Sequence, residues 1–277
     1  GQLLSGYLMA MGETPAFVAS HGHTIFHEPS KGMTFQAGHG AAIAAESGLP
    51  VICDFRSSDV ALGGQGAPLV PIGDELLFGR FDALVNLGGF ANISNRLNNE
   101  RIAYDICPVN IVFNHFSRKL GHDFDRGGTL AASGNPRPEL LDKLDKMPYY
   151  SAPYPKSLGR EWIEKEFLPV IENSGIENTS DILCTLAQHA AGQIVRATGE
   201  NNSVLFTGGG AKNHYLTGII REHLHERMII PDETTVDFKE ALIFAFMGWL
   251  RLNEISNTIP SATGASKAIS AGAIFIP

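Results

Sequence analysis

The sequence predicts an α/β protein built as two domains. Its 277 residues approach twice the ~150 residues of a typical domain. The last third alternates strand and helix signals, which is the pattern of an α/β fold. Short apolar runs repeatedly stop at glycine doublets and triplets. Glycine supplies 30 residues, about 11 % against a usual ~7 %. With 44 % apolar and 18 % charged residues, the composition is globular.

The elements follow in order. Residues 3–11 read as the end of a helix. Residues 17–20 read as a strand that runs into a loop, His21-Gly22-His23-Thr24. The Ala-rich stretch 40–47 is a short helix stopped by Gly48, and 51–54 is a short buried strand. The Gly- and Pro-rich stretch 63–73 reads as a crossing segment between domains. Residues 83–87 form a strand that meets Gly88-Gly89 and resumes over 90–94, a hairpin with glycine at its turn. A third strand covers 102–106, with Asp105 at its end. Residues 125–161, rich in Gly, Pro, Ser and Tyr, read as irregular apart from a charged helix near 139–146. Leu183, Leu186, Ala187, Ala190, Ala191, Ile194 and Val195 recur at helical spacing. A strand at 203–207 then leads through Gly208-Gly209-Gly210 into a helix starting near Asn213, with Leu216, Ile219, Ile220 and Leu224 on one face. Residues 228–230 form a strand stopped by Pro231. The helix over 238–252 is apolar nearly all round and is expected to be buried on most sides.

The charge balance narrows the function classes. Asp and Glu number 29 against 21 Lys and Arg, for a net charge of −8. This argues against nucleic acid as the main partner, since phosphate backbones are met by clustered Lys and Arg. It also speaks against an anionic membrane surface. The longest uncharged apolar run, 241–250, is half of the roughly 20 residues that a membrane span needs. No basic residue precedes Lys31, so the start does not read as a secretory signal. Cys53, Cys107 and Cys184 are an odd, widely spaced set, expected as reduced thiols of a cytoplasmic protein.

Six places offer chemistry, each beside a plainer reading. Gly88 and Gly89, inside N-L-G-G-F-A-N-I-S, let backbone N–H groups approach an anion, or simply turn a hairpin. Gly208, Gly209 and Gly210 lie between a strand and a helix, a junction that suits a phosphate or a flat ligand. The spacing there is neither that of Gly-x-Gly-x-x-Gly nor that of a Walker A loop. Asp105 at a strand end is a general base or metal ligand, or else the cap of a helix starting near Pro108. In D-F-R-S-S-D, Arg56 is a clamp for an anionic or hydroxyl-rich ligand, or part of a surface ion pair with Asp54 or Asp59. His21, His23 and His27 are either hydrogen-bonding residues or an incomplete zinc set. Glu240 faces a pocket or favours the dipole at a first helical turn.

Taken together, S-H-G-H-T (20–24), D-F-R-S-S-D-V-A-L-G-G-Q-G-A-P-L-V-P (54–71), N-L-G-G-F-A-N-I-S (86–94), D-R-G-G-T-L-A-A-S-G (125–134), P-K-S-L-G-R-E (155–161) and T-G-G-G-A-K-N (207–213) resemble the anhydro-N-acetylmuramic acid kinases. The resemblance runs from Ala19 to Ser266. It implies the actin/hexokinase-type ATPase superfold, in which two ribonuclease-H-like domains hold ATP between them. On this basis the first domain is expected over 1–78 plus 260–277 and the second over 79–259. The implied reaction opens the 1,6-anhydro ring of a muramic sugar with water and moves the γ-phosphoryl group of ATP, aided by Mg²⁺, to the freed O6. The product is N-acetylmuramic acid 6-phosphate, an intermediate of cell-wall recycling. Asp105 matches the family's base. Gly88, Gly89 and Asn92 match its second phosphate loop. Gly208, Gly209, Gly210 and Asn213 match its adenosine-side loop. Arg56, Glu240 and Asn110 fall where the family meets sugar. A homodimer is expected. The alternative is an impaired nucleotide- or sugar-binding homologue.

Two departures stand out. The family's opening phosphate loop lies about 80 residues before S-H-G, on the scale of half a domain. Here S-H-G begins at Ser20, so the sequence reads either as a fragment or as a shortened first domain, and a truncated domain is expected to leave a sheet edge unpaired. The catalytic loop reads D-I-C-P-V-N where the family has D-T-G-P-G-N, so Cys107 and Val109 are expected to narrow it beside the sugar.

Overall fold

The computed structural model describes residues 6–7, 10, 14–97, 100–154 and 156–277. The helix expected over 3–11 lies largely outside them. In chain order the strands are β1 (Val18–Ser20), β2 (His23–Glu28), β3 (Met33–Ala37), β4 (Val51–Cys53), β5 (Ala83–Leu87), β6 (Phe90–Leu97), β7 (Glu100–Pro108), β8 (Val204–Thr207), β9 (Met228–Ile229) and β10 (Ala273–Phe275). The helices that matter below are α1 (Gly40–Ser47), α2 (Ser57–Ala61), α3 (Pro71–Leu76), α4 (Asn110–Lys119), α5 (Pro138–Asp145), α6 (Thr179–Thr198), α7 (His214–Leu224) and α8 (Glu233–Leu252). The chain divides into two compact units, Gly1–Gly79 with Glu240–Pro277, and Arg80–Lys239.

In the first unit, β4 is the middle of a three-stranded sheet, parallel to β1 and antiparallel to β10. Side chains alternate across a strand, so β4 serves two layers. Val51 and Cys53 pack with Ala44 of α1. Ile52 packs with Phe55, Leu69 and Ile72 and with Ile243, Phe244, Met247 and Leu250 of α8. A separate hairpin, β2–β3, starts at His23, inside what the sequence marks as a loop.

The second unit holds a five-stranded sheet of order β7-β6-β5-β8-β9. The β7-β6-β5 meander is antiparallel, and β5, β8 and β9 are parallel. A parallel neighbour needs a long crossover, and α6 lies on the path from β7 to β8. Val85, Leu87, Ala91, Ile93, Ile106 and Phe206 bury one sheet face against Leu183, Leu186, Ala187, Ala190 and Ile194 of α6. This α/β unit has the ribonuclease-H-like form expected of it. The helix starts where Asn178 caps it, its side chain accepting the Ser180 N–H at 3.0 Å.

Several expectations change. Residues 63–73 lie within the first unit rather than leading out of it, and residues 240–259 group with that unit too. The reason is the α8 stripe named above, which fills the core under β4. That stripe is one face only: Phe238, Leu242 and Trp249 are 61 %, 51 % and 47 % exposed, so α8 is not buried on most sides. It also begins at Glu233, which removes Glu240 from the first turn. Within 125–161 the expected charged helix is present as α5, while the short helices Thr129–Ala132 and Pro148–Ser151 stand where irregular chain is expected. All three cysteines are free and buried. Among the described residues no helix is long and apolar enough to cross a membrane.

Candidate active site

In the second unit the strand register assembles a polar row. Asn86 on β5 pairs with Asn92 on β6 and with Thr207 on β8, and Asn92 pairs with Asp105 on β7. Register partners share a face, so four polar side chains cross four strands side by side. The row lies at the carboxyl ends of the parallel strands β5 and β8, the end at which α/β sheets bind ligands. Both glycine turns follow it directly.

The turns are built tightly. Gly88 N–H donates to the Phe90 carbonyl at 3.1 Å and closes the hairpin. The Gly89 carbonyl accepts the Val109 and Ile111 N–H groups at 2.9 and 3.1 Å, which fixes the turn to the start of α4. At Gly208 the backbone is left-handed (φ +82°), and an added Cβ would stand 2.5 Å from Asn86 Oδ1. One at Gly88 would stand 3.2 Å from Asn86 Nδ2. The Asn86 carboxamide therefore fills the space between the two turns. A Cβ on Gly210 would meet Leu87, whereas Gly209 has nothing near it. Gly89 and Gly209 are exposed. The opening N–H groups of the Gly209–Lys212 turn have no partner inside it, which is the arrangement that accepts an anion.

Two predicted ligand residues have structural duties. Asn213 caps α7, with Oδ1 accepting the Leu216 N–H at 3.0 Å. Asn110 donates from Nδ2 to the Leu87 carbonyl at 3.2 Å, joining the α4 start to the end of β5.

Asp105 lies within β7, which continues to Pro108, and α4 is capped at Val109. The helix-cap reading of Asp105 is thereby overturned. Its Oδ2 accepts the Leu158 N–H at 2.8 Å, and its own N–H donates to the Lys156 carbonyl at 3.2 Å. Tyr149 OH donates to its main-chain carbonyl at 2.5 Å. Lys156 is held in turn by the Tyr149 carbonyl and ring. Burial raises the Asp105 carboxyl above the ordinary carboxylate value, and the Leu158 N–H offsets part of that rise. Cys107 and Val109 are fully buried in the core shared with α6. They do not narrow the polar face, contrary to expectation, because Cys107 pairs with Ala91, whose side chain belongs to the core.

The first unit carries a different cluster. Asp54 turns the chain at φ 54°, with Oδ1 accepting the Ser57 N–H at 3.1 Å. Arg56 follows, donating to the Gly66 carbonyl at 2.5 Å and to His21 Nε2 at 2.6 Å. It is thus held by His21 and Gly66 rather than by Asp54 or Asp59. Asp59 is fully buried and accepts the Gly66 N–H at 2.7 Å and the Thr263 hydroxyl at 2.8 Å. Glu240 is exposed on α8 and favours the charged forms of Arg56 and His21. No group of three His, Cys, Asp or Glu able to hold a metal occurs among the described residues, so the zinc reading of the histidines has no ligand set there.

The sequence singles out Asp105, Asn92 and both glycine turns. It misses Asn86 and Thr207, which each stand one or two residues before a glycine run, and it misses the Tyr149–Leu158 segment around Asp105.

Comparison with known proteins agrees along nearly the whole chain. The family model for anhydro-N-acetylmuramic acid kinase matches residues 3–277. A protein of that name from Aliivibrio fischeri is 35 % identical over 292 residues, spanning 99 % of this chain and 78 % of the relative. Those from Gloeobacter violaceus and Francisella tularensis subsp. novicida are 36 % and 37 % identical, covering 93 % and 94 % of this chain and 73 % and 74 % of theirs. Among solved structures, the activator of the 2-hydroxyisocaproyl-CoA dehydratase from Clostridium difficile with bound ADPNP aligns at a TM-score of 0.41 and 15 % identity, over 80 % of this chain and 88 % of that one. It is the sequence match that decides: the chain belongs to the anhydro-N-acetylmuramic acid kinase family and is a kinase, a phosphotransferase enzyme.

Proposed function

We propose that this kinase hydrolytically opens 1,6-anhydro-N-acetylmuramic acid and phosphorylates O6 with ATP, giving N-acetylmuramic acid 6-phosphate for cell-wall recycling. One observation carries the reading: Asp105 stands in register with Asn92, Asn86 and Thr207, at the sheet end where both glycine turns begin.

Asp105 acts as the base. It takes a proton from water as the water oxygen bonds to C1 of the sugar and the C1–O6 bridge breaks. The freed O6 attacks the γ-phosphorus, the bond to the bridging oxygen breaks, and ADP leaves. Burial lifts the Asp105 carboxyl toward the working pH, which suits a base, and the Leu158 N–H keeps it ionisable. Gly88 shapes the hairpin through its bond to Phe90, so the Gly89 amide and the opening amides of the Gly209–Lys212 turn steady the phosphates, and Asn213 sets the helix beneath the adenosine side. Arg56, Glu240 and Asn110 meet the sugar.

Mg²⁺ fits the donor set. It binds through one or two protein oxygens, its own waters and substrate phosphates, and so needs no carboxylate cage. The Asn92 and Thr207 oxygens would hold it, and it would neutralise charge on the phosphates. The same reading has the enzyme work in the cytoplasm as a homodimer. The buried free thiols fit a reducing compartment.

A coupled assay of ADP release with the anhydro sugar tests this. Asp105→Asn should lower kcat by about 10²–10⁴-fold, the usual weight of a general base. Turnover unchanged in that variant would remove Asp105 from the mechanism. Tight ATP binding without any wild-type turnover would favour a binding homologue instead.

A further inference from the structure

The His21-Gly22-His23 motif remains without a task once zinc is set aside. We propose that His21 is a positioning residue for the sugar site: as a neutral imidazole it accepts the Arg56 guanidinium and fixes its head group, so that sugar affinity falls when His21 is protonated. This rests on the reading above that Arg56 meets the sugar.

The geometry carries the argument. A guanidinium has only donors, so the 2.6 Å contact between Arg56 and His21 Nε2 requires an unprotonated Nε2. Among the described residues the Arg56 head group rests on two hydrogen bonds, this one and that to the Gly66 carbonyl. Its Nε is buried without a hydrogen-bond partner. The imidazole is itself fixed, with its ring centroid 4.5 Å from that of Phe244 on α8. Gly22, at φ +73°, turns the chain directly after it, where a Cβ would stand 2.6 Å from the Ala37 carbonyl oxygen.

A proton on Nε2 removes the acceptor and sets two cations against each other. The charged and titratable groups facing the pair are few. Arg56 and His23 disfavour the imidazolium, and Glu240 of α8 favours it. His27 of β2 also feels Arg56. Burial and Arg56 prevail, and His21 stays neutral to below the ordinary histidine value of 6.5. The sign follows: the bond is intact at neutral pH and is lost as pH falls.

The test is calorimetric titration of 1,6-anhydro-N-acetylmuramic acid into the full chain from about pH 8 to about pH 5, the range in which histidine titrates. Wild-type affinity should fall about tenfold across that range, the scale of losing one charge-assisted bond. His21→Gln keeps an acceptor oxygen that does not titrate. It should bind within about threefold of wild type at the upper pH and show a flat profile. His21→Phe keeps the ring but not the acceptor, and should bind about tenfold more weakly throughout. ATP affinity should be the same in all three, which a general loss of structure would not allow. A His21→Gln profile that overlays wild type, or a His21→Phe variant that binds as wild type, overturns the inference. Arg56→Ala separates the two levels. If it binds the sugar normally, the reading of Arg56 fails. If it binds weakly while the His21 variants behave as wild type, only the inference fails. Absence of sugar binding by wild type at every pH overturns both.

Discussion

The two clusters are held together in opposite ways. In the second unit the Asp105–Asn92–Asn86–Thr207 row is set by backbone register, so each position is fixed by ladder hydrogen bonds shared with the core sheet. In the first unit Arg56 is set by one side chain, one carbonyl and a loop pinned on Asp59. A site made from strands tolerates changes in individual side chains but not in its turns. A site made from side-chain bonds fails when one partner titrates or is removed. Preorganisation by rigid elements suits the group that must meet a reacting atom. A side-chain clamp suits recognition.

That contrast can be broken most sharply at the glycines. Gly208→Ala places a Cβ 2.5 Å from Asn86 Oδ1 in a left-handed backbone. We expect kcat/KM for ATP to fall about 100-fold, the effect of a displaced turn and a shifted row. Gly218→Ala is the control, since this glycine is exposed on α7 with nothing within 4 Å of an added Cβ, and it should stay close to wild type. Equal behaviour of the two variants would mean that the turn geometry does not matter to the nucleotide.

The counterpart in the first unit is Asp59→Ala. It leaves the Gly66 N–H and the Thr263 hydroxyl without their buried acceptor. The expected loss is about 2 kcal/mol in urea unfolding. Sugar binding should weaken with it, because the Gly66 carbonyl holds Arg56, while ATP affinity should persist. Parallel loss of both ligands would show that the two clusters do not differ as argued.

What was legible follows the same division. Asp105 and the glycine turns could be read because each sits at the end of an apolar run, a local signal. Asn86 and Thr207 could not, because their importance lies in pairing across β5 and β8, and register between strands some 120 residues apart is not written in either strand. The His21–Arg56 bond joins residues 35 apart, and Asp59 reaches Thr263 across 204. Asp59 therefore looked like one half of a surface pair. The apolar composition of α8 was plain, but which of its faces would be covered depended on the width of the small sheet around β4.

A second histidine sharpens the comparison with the smallest effect. His189 on α6 is 1 % exposed. Its Nδ1 faces Asp145 Oδ1 at 2.6 Å and its Nε2 faces Tyr150 OH at 2.8 Å. An ionised carboxylate only accepts, so Nδ1–H donates to Asp145, and Tyr150 donates to Nε2. Burial depresses the His189 pKa below its ordinary value of 6.5, although Asp145 opposes this. The unfolded chain therefore binds the proton first as pH falls. Stability is fully present above 6.5 and is lost as pH drops toward the depressed folded value. Urea unfolding of wild type should show that decline below neutrality. His189→Gln should be less stable at pH 7 but lose less on acidification. Sugar affinity at neutral pH should be nearly unaffected, since this histidine belongs to the second unit's helix layer and not to the Arg56 clamp. One histidine would then govern folding and the other recognition. A His189→Gln variant with an unchanged pH slope would instead place the linkage elsewhere in the fold.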